Sequence, residues 1–182
     1  MEFEIINYLK NNSTKEENNL IDLIFKEAKT KEEIGNSKYI IIPNSVKSIE
    51  YNAFGNCSNL TSIILPENVT FIGDYAFWNC NSLTSIIIPN SVKSIGNHVF
   101  YNCNSLSSIT IPDSVTSIGY HVFYNCNSLK TITIPNSLTT IRECTFWKCT
   151  SLTSIIIPNS VTSIEYCAFN NCNSLTCIDI PN

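Results

Sequence analysis

The chain has 182 residues, is 43% hydrophobic, and carries 11 Lys and Arg against 15 Asp and Glu, for a formal charge of −4. That balance argues against a nucleic-acid binder, which needs a basic stripe, while the apolar content suffices for a continuous core. No segment approaches the run of about 18 apolar residues needed for a transmembrane helix, and the acidic start MEFEIINYLK lacks the basic n-region and long apolar h-region of a secretory signal.

The first element in chain order reads as helix. Ser13 or Thr14, followed by Glu16 or Glu17, has the form of a capping box, and Leu20, Ile21, Ile24, Phe25 and Ala28 then make an apolar stripe at helical spacing. Phe3, Ile6 and Leu9 suit a shorter helix before it. Residues 1–38 hold 14 of the 26 charges, so composition shifts near Ser37 to Tyr39. The segment 1–38 is expected to be an N-terminal helical cap that covers the first coil of the repeats beyond it. A partner-binding helix pair is the sharper alternative.

From Tyr39 to the end the chain repeats. Its seven prolines, Pro43, Pro66, Pro89, Pro112, Pro135, Pro158 and Pro181, are each 23 residues from the next. A fixed period of this size marks a solenoid. With proline as position 0, position 6 is always Ile, position 11 always Phe (Phe54 to Phe169), position 14 always Cys (Cys57 to Cys172), and positions 17 and 20 always Leu and Ile. Position 3 is Val or Leu and position 22 Leu or Ile. One 23-residue coil cannot bury its apolar side alone, but stacked coils bury it against each other. Positions 20 and 22 alternate inward as in a strand, and the proline ends that strand because it has no N–H to donate. Seven parallel strands, Ile40–Ile42 through Ile178–Ile180, are expected. Positions 10, 11 and 14 have the spacing of one side of a helical turn, so the returns are expected to be short helical or irregular segments. Position 2 is Ser45, Asn68, Ser91, Ser114, Ser137 and Ser160, small side chains able to satisfy a backbone group of a neighbouring coil.

The segment LTSIIIPNSV, Leu83 to Val92, resembles the LxxLxLxxNxL core of leucine-rich repeats, with Ser91 in the Asn place. The stretch SIGNHVFYNCNSL after it is similar to the IGxxAFxxCxxL half of the BspA-like subfamily. The likeness covers 40–182 and recurs in every coil. Glu50, Arg142 and Glu165 depart from it at position 7, where the family has glycine, and Thr145 departs at position 10. The resemblance implies an α/β solenoid, a leucine-rich repeat domain of six coils over 39–182 with its parallel sheet on the concave face. It also implies protein binding, in a family known mainly for surface-antigen and adhesion proteins. With no signal visible the chain reads as cytoplasmic, while the resemblance points to the cell surface.

Nine cysteines invite a disulfide or metal reading. Six sit between an inward Phe and an inward Leu, where free Cys is a good small core residue, and no CxxC pair supports a zinc ribbon. Position 9 reads Asn52, Tyr75, His98, His121, Cys144, Cys167 and would stack as an exposed polar ladder. A straight ladder is not a tetrahedron, so no metal and no cofactor are expected. A Cys144–Cys167 disulfide is the oxidising-condition alternative. Without a GxSxG, P-loop or HExxH motif, an enzyme is not expected.

Two surfaces are candidates for a protein partner. Outward strand positions 19 and 21 put Ser85, Ile87, Ser108, Thr110, Thr131, Thr133, Ser154 and Ile156 on the concave face, a hydroxyl-rich surface with an interrupted isoleucine stripe. Alternatively, position 12 puts Trp78, Tyr101, Tyr124 and Trp147 in a convex aromatic row, unless those rings lie over the returns and seal the core. At the C-terminal coil an unpaired strand edge would be a template for self-association.

Overall fold

The structure, a computed structural model, describes residues 36–180. The expected cap over 1–38 falls almost wholly outside the described residues. The rest is a solenoid of about six turns with two parallel β-ladders. Strands of three residues occupy positions 19–21: Tyr39–Ile41 (β1), Ser62–Ile64 (β3), Ser85–Ile87 (β5), Ser108–Thr110 (β7), Thr131–Thr133 (β9), Ser154–Ile156 (β11) and Cys177–Asp179 (β13). They begin one residue before the expected spans and end two before the proline. Strands of two residues occupy positions 5–6: Ser48–Ile49 (β2), Phe71–Ile72 (β4), Ser94–Ile95 (β6), Ser117–Ile118 (β8), Thr140–Ile141 (β10) and Ser163–Ile164 (β12). The sequence does not announce this second sheet. Both sets stack with a register of one repeat, so that Ile86 lies beside Ile109 and Ile72 beside Ile95.

The long-strand ladder runs β5–β7–β9–β11–β13, with β1–β3 as a separate pair. The Thr84 N–H donates to the Thr61 carbonyl at 3.3 Å across the junction between them. The short-strand ladder runs β2–β4–β6–β8, then breaks before β10–β12. The break falls where Arg142 succeeds Gly73, Gly96 and Gly119 at position 7. A Cβ on Gly119 would lie 2.6 Å from the Gly96 carbonyl carbon and 2.6 Å from the Asn97 nitrogen. Gly73, Gly96 and Gly119 therefore pack directly on the coil before them, and the coil carrying Arg142 does not continue the ladder, although Glu165 at the same position pairs its coil with that of Arg142 in β10–β12.

Of the two forms expected for the returns, short helical or irregular, the structure has the second. The returns are tight turns in which N–H groups alternate between two directions. Those of positions 12 and 14 close turns within their own coil, as when Tyr101 donates to the His98 carbonyl at 3.2 Å and Cys103 to Phe100 at 3.1 Å. Those of positions 9, 11 and 13 donate to the next coil: His98 to Tyr120 at 3.0 Å, Phe100 to Val122 at 2.9 Å, Asn102 to Tyr124 at 2.9 Å. A helix would spend all of these on its own chain. The spacing of positions 11 and 14, which suggests a helical turn, is equally the spacing across a four-residue β-turn. Positions 9 and 13 carry φ of about +53° to +65° in every coil. Asn tolerates that left-handed region better than other residues, and it fills position 13 in all coils but that of Lys148. The side chains there form a ladder, Asn79 to Asn56 at 2.9 Å, Asn102 to Asn79 at 2.9 Å and Asn125 to Asn102 at 2.8 Å. The expected polar ladder at position 2 is partial. The Ser91 hydroxyl donates to the Val69 carbonyl at 2.6 Å, and Ser137 does the same to Val115. Those of Ser114 and Ser160 are buried without a partner.

Between the ladders lies one core built of columns. Val92, Phe100, Cys103 and Leu106 are fully buried, as are their equivalents in neighbouring coils. The phenylalanines stack from Phe54 to Phe169 with centroids 5.4–5.5 Å apart and planes within 7°. Each ladder thiol from Cys80 on donates to the Phe carbonyl of the coil before: Cys103 to Phe77 at 3.1 Å, Cys126 to Phe100 at 3.1 Å. That carbonyl already accepts the cysteine N–H of its own coil, so both its lone pairs are used. All nine cysteines are free thiols, so the Cys144–Cys167 disulfide is not formed. Burial pushes the Cys103, Cys126 and Cys149 thiols far above the ordinary range.

This packing sets the cost of single substitutions. Phe123→Ala should cost about 3–5 kcal/mol in urea unfolding, since the cavity sits mid-column and cannot collapse. Gly119→Ala should cost about 1–3 kcal/mol by overpacking, although its φ is one that alanine can adopt. In the native protein, iodoacetamide should label the exposed Cys177 readily and leave Cys80, Cys103, Cys126 and Cys149 unmodified until denaturant is added, as read by mass spectrometry.

Candidate functional site

The long strands alternate side chains in and out, so their middle residue enters the core and positions 19 and 21 face solvent. Ser85, Ser108, Thr110, Thr131, Thr133 and Ser154 are exposed. Ile87 is 81% exposed, Ile156 69% and Ile64 50%, far more than a strand isoleucine on a covered face. These side chains lie on one surface because each strand repeats the same register, Ser85–Ser108–Thr131 and Ile87–Thr110–Thr133. On this surface a shallow groove of about 390 Å³ follows β5 and β7, lined by Ile87 and Thr110 of the strands and by Pro89, Pro112 and Glu67 beyond strand ends. The post-proline wall of the groove is the part that strand alternation alone does not reveal. Its signal in the sequence is the acidic or amide residue at position 1, beside each strand end. Charge is nearly absent here: among outward strand positions of the described coils, Asp179 is the one ionised residue.

The four rings at position 12 are all half-buried. Tyr101 and Tyr124 stack face to face, 4.5 Å apart and 7° from parallel, and Trp147 leans on Tyr124 at 5.6 Å and 41°. Trp78 turns toward the coil before it. Its Nε1–H donates to the Asn52 Oδ1 at 2.7 Å, and its ring lies over Gly55, where a Cβ would come within 2.3 Å of Nε1. Tyr124 thus has rings on two sides, and Tyr101 and Trp78 each have one side covered. That suits a sealing role better than a stacking platform for sugars, which needs open faces.

Position 9, expected as an exposed polar ladder, is instead a second stack. Tyr75 and His98 lie 4.6 Å apart and His98 and His121 4.8 Å apart, each pair within 6° of parallel. Tyr120, which no sequence motif singles out, meets both imidazoles edge-on at 5.2 and 5.6 Å. Burial lowers the pKa of each histidine, and for His98 the neighbouring His121 adds to the effect. Cys144, next along the ladder, is buried. Among the described residues no three His, Cys, Asp or Glu side chains converge as metal ligands, and no helix is long and apolar enough to cross a membrane.

Comparison with known proteins agrees with this architecture. The family model described as "BspA type Leucine rich repeat region (6 copies)" matches residues 27–151 and 71–182. No curated protein matches the chain. Among solved structures, the leucine-rich repeat protein of T. pallidum is 30% identical with a TM-score of 0.74, over 79% of this chain and 70% of that one. A leucine-rich repeat protein of Bacteroides ovatus is 33% identical with a TM-score of 0.60, over 79% of this chain and 45% of that one. A leucine-rich cell surface protein of Faecalibacterium prausnitzii is 26% identical with a TM-score of 0.50, over 81% of this chain and 60% of that one. The chain therefore spans less than two thirds of the length of each of these last two proteins. The two regions matched by the family model together reach from residue 27 to the last residue, and the repeat carries its characteristic Phe, Cys, Leu and Ile in every coil. The chain belongs to the BspA-type leucine-rich repeat family.

Proposed function

We propose that this chain is a non-enzymatic scaffold that binds a protein through the outward face of its long-strand sheet. The observation that supports this most is the exposure of Ile87 and Ile156 beside a groove on a nearly uncharged, hydroxyl-covered surface. Aliphatic side chains this exposed, repeated in register, make an apolar strip of the kind that marks interaction sites. The hydroxyls of Ser108, Thr110, Thr131 and Thr133 between them offer donors and acceptors at strand spacing. The partner that fits is a segment with apolar knobs and few charges, docking along the strands' stacking direction. Glu67 is the one charged side chain lining the groove, so a charged partner would find little to pair with. The cell surface is the setting we favour, by likeness to the Faecalibacterium protein.

The exposed isoleucines that flank Thr110 and Thr133 should carry most of the binding energy, as the few apolar anchors of an interface do. A double variant, Ile87→Lys with Ile156→Lys, should weaken the complex by about thirtyfold or more, corresponding to roughly 2 kcal/mol. Its urea midpoint should stay near wild type, because both side chains are solvent-facing. Trp78→Ala with Trp147→Ala should do the reverse, losing stability before affinity. Retained affinity in the isoleucine variant would overturn this reading. An uncharged interface also implies little salt dependence, about threefold or less in Kd between 50 and 500 mM NaCl, measured by titration calorimetry.

A further inference from the structure

The His98–His121 stack does nothing for the isoleucine face, yet it is the one place among the described residues where two imidazole rings are held against each other. Their centroids are 4.8 Å apart and their planes 6° from parallel. The Nδ1 atom of each is buried and has no hydrogen-bond partner. A neutral imidazole with its proton on Nε2 leaves Nδ1 as the atom a second proton must occupy. That proton would be a buried donor without an acceptor, which is costly.

The surroundings offer little relief. Tyr75 covers the outer face of His98 at 4.6 Å, Tyr101 and Tyr124 flank the pair at 5.7 and 5.6 Å, and Tyr120 meets both edges. Burial pushes the phenols of Tyr75 and Tyr101 up, and likewise the Cys144 thiol beyond His121, so these three offer no negative charge near neutral pH. Asp74 lies toward His98 and Glu143 toward His121, and both favour the charged imidazole. The Asp74 carboxylate, however, is engaged in accepting the Asn97 N–H at 2.8 Å and its Nδ2–H at 3.2 Å. Neither histidine is ion-paired among the described residues, where the one pair is Arg142–Glu165. Both histidines also hold φ near +57°, at 56° and 58°, a conformation that a ring side chain adopts at a cost. The returns that carry them have little margin to absorb a charge.

We infer that His98 and His121 form an acid-sensitive latch in the middle of the solenoid. Neutral, the rings stack and let the returns of these two coils close. Protonated, they repel each other across 4.8 Å, and the returns open locally while the strand ladders persist. Linkage fixes the direction. The imidazoles bind protons more weakly folded than unfolded, so their contribution to stability is complete above the ordinary value of about 6.5 and is lost as pH falls below it through the lowered folded values.

The first test needs no variant. Imidazole resonances followed by NMR from about pH 8 to 4.5 should show two separated steps, both below the ordinary value of about 6.5. Two independent titrations at or above that value would overturn the inference. The second compares unfolding midpoints and return-amide hydrogen exchange, referenced to unfolded-chain rates, at about pH 7.5 and 5.0. In wild type the protection of the Tyr101 and Tyr124 amides should drop at least about tenfold more than that of the core strand amides of Ile109 and Ile132. In His98→Asn with His121→Asn that excess should vanish. Asn52 already holds the same left-handed position in the first coil, so these variants are suited to the backbone. An equal acid response in the double variant would also overturn the latch.

Discussion

The whole array depends on where the return's backbone N–H groups go. A buried return must pair every one of them, and this chain alternates them, one to its own turn and the next to the neighbouring coil. That alternation sets the stacking distance, and much else depends on it. It places positions 9 and 13 in the left-handed region, which is why Asn fills one of them. It holds the Phe rings in a column 5.4–5.5 Å apart, and it brings each Cys thiol under the Phe carbonyl of the preceding coil at about 3.1 Å. The same close approach accounts for the glycines Gly73, Gly96 and Gly119, and the second ladder is interrupted where Arg142 follows them.

Much of this is legible in the residues, and the reasons are specific. The inward columns can be read because burial demands the same side chain in every coil, as at Phe100 and Cys103. The parallel stacking comes from the 23-residue period, and the outward exposure of Ile87 and Thr110 from strand alternation. The returns are not legible in the same way, because spacing alone does not distinguish a helical turn from a four-residue β-turn. What distinguishes them is the destination of the N–H, which no single coil contains. The run of Asn at position 13 is the available clue, since Asn tolerates positive φ. Position 9 is harder. Tyr and Cys are poor residues for that conformation and His is better suited to it, and only the stacked neighbours show why rings are accommodated there.

The surface divides by the same logic. Ring faces on the return side are partly taken up by stacking, so the aromatic residues there also serve the fold. The strand side has no such use for its outward residues. Ile87 and Ile156 stand out in solvent, whereas the hydroxyls at position 18, such as those of Thr84 and Thr153, are engaged with carbonyls of the preceding coil at 3.3 and 3.4 Å. Side chains without a structural duty are those a scaffold can present to a partner. On a solenoid they come in rows because the coils do.

Site-specific photo-crosslinking puts the proposed interface to its most direct test. A benzophenone amino acid would replace Thr110 on the strand face in one protein and Tyr101 on the return side in another, each irradiated with the bound partner. A strand-face interface predicts a covalent adduct from position 110 and none from position 101. An adduct from 101 alone would place the interface on the aromatic edges and contradict binding through the isoleucine strip.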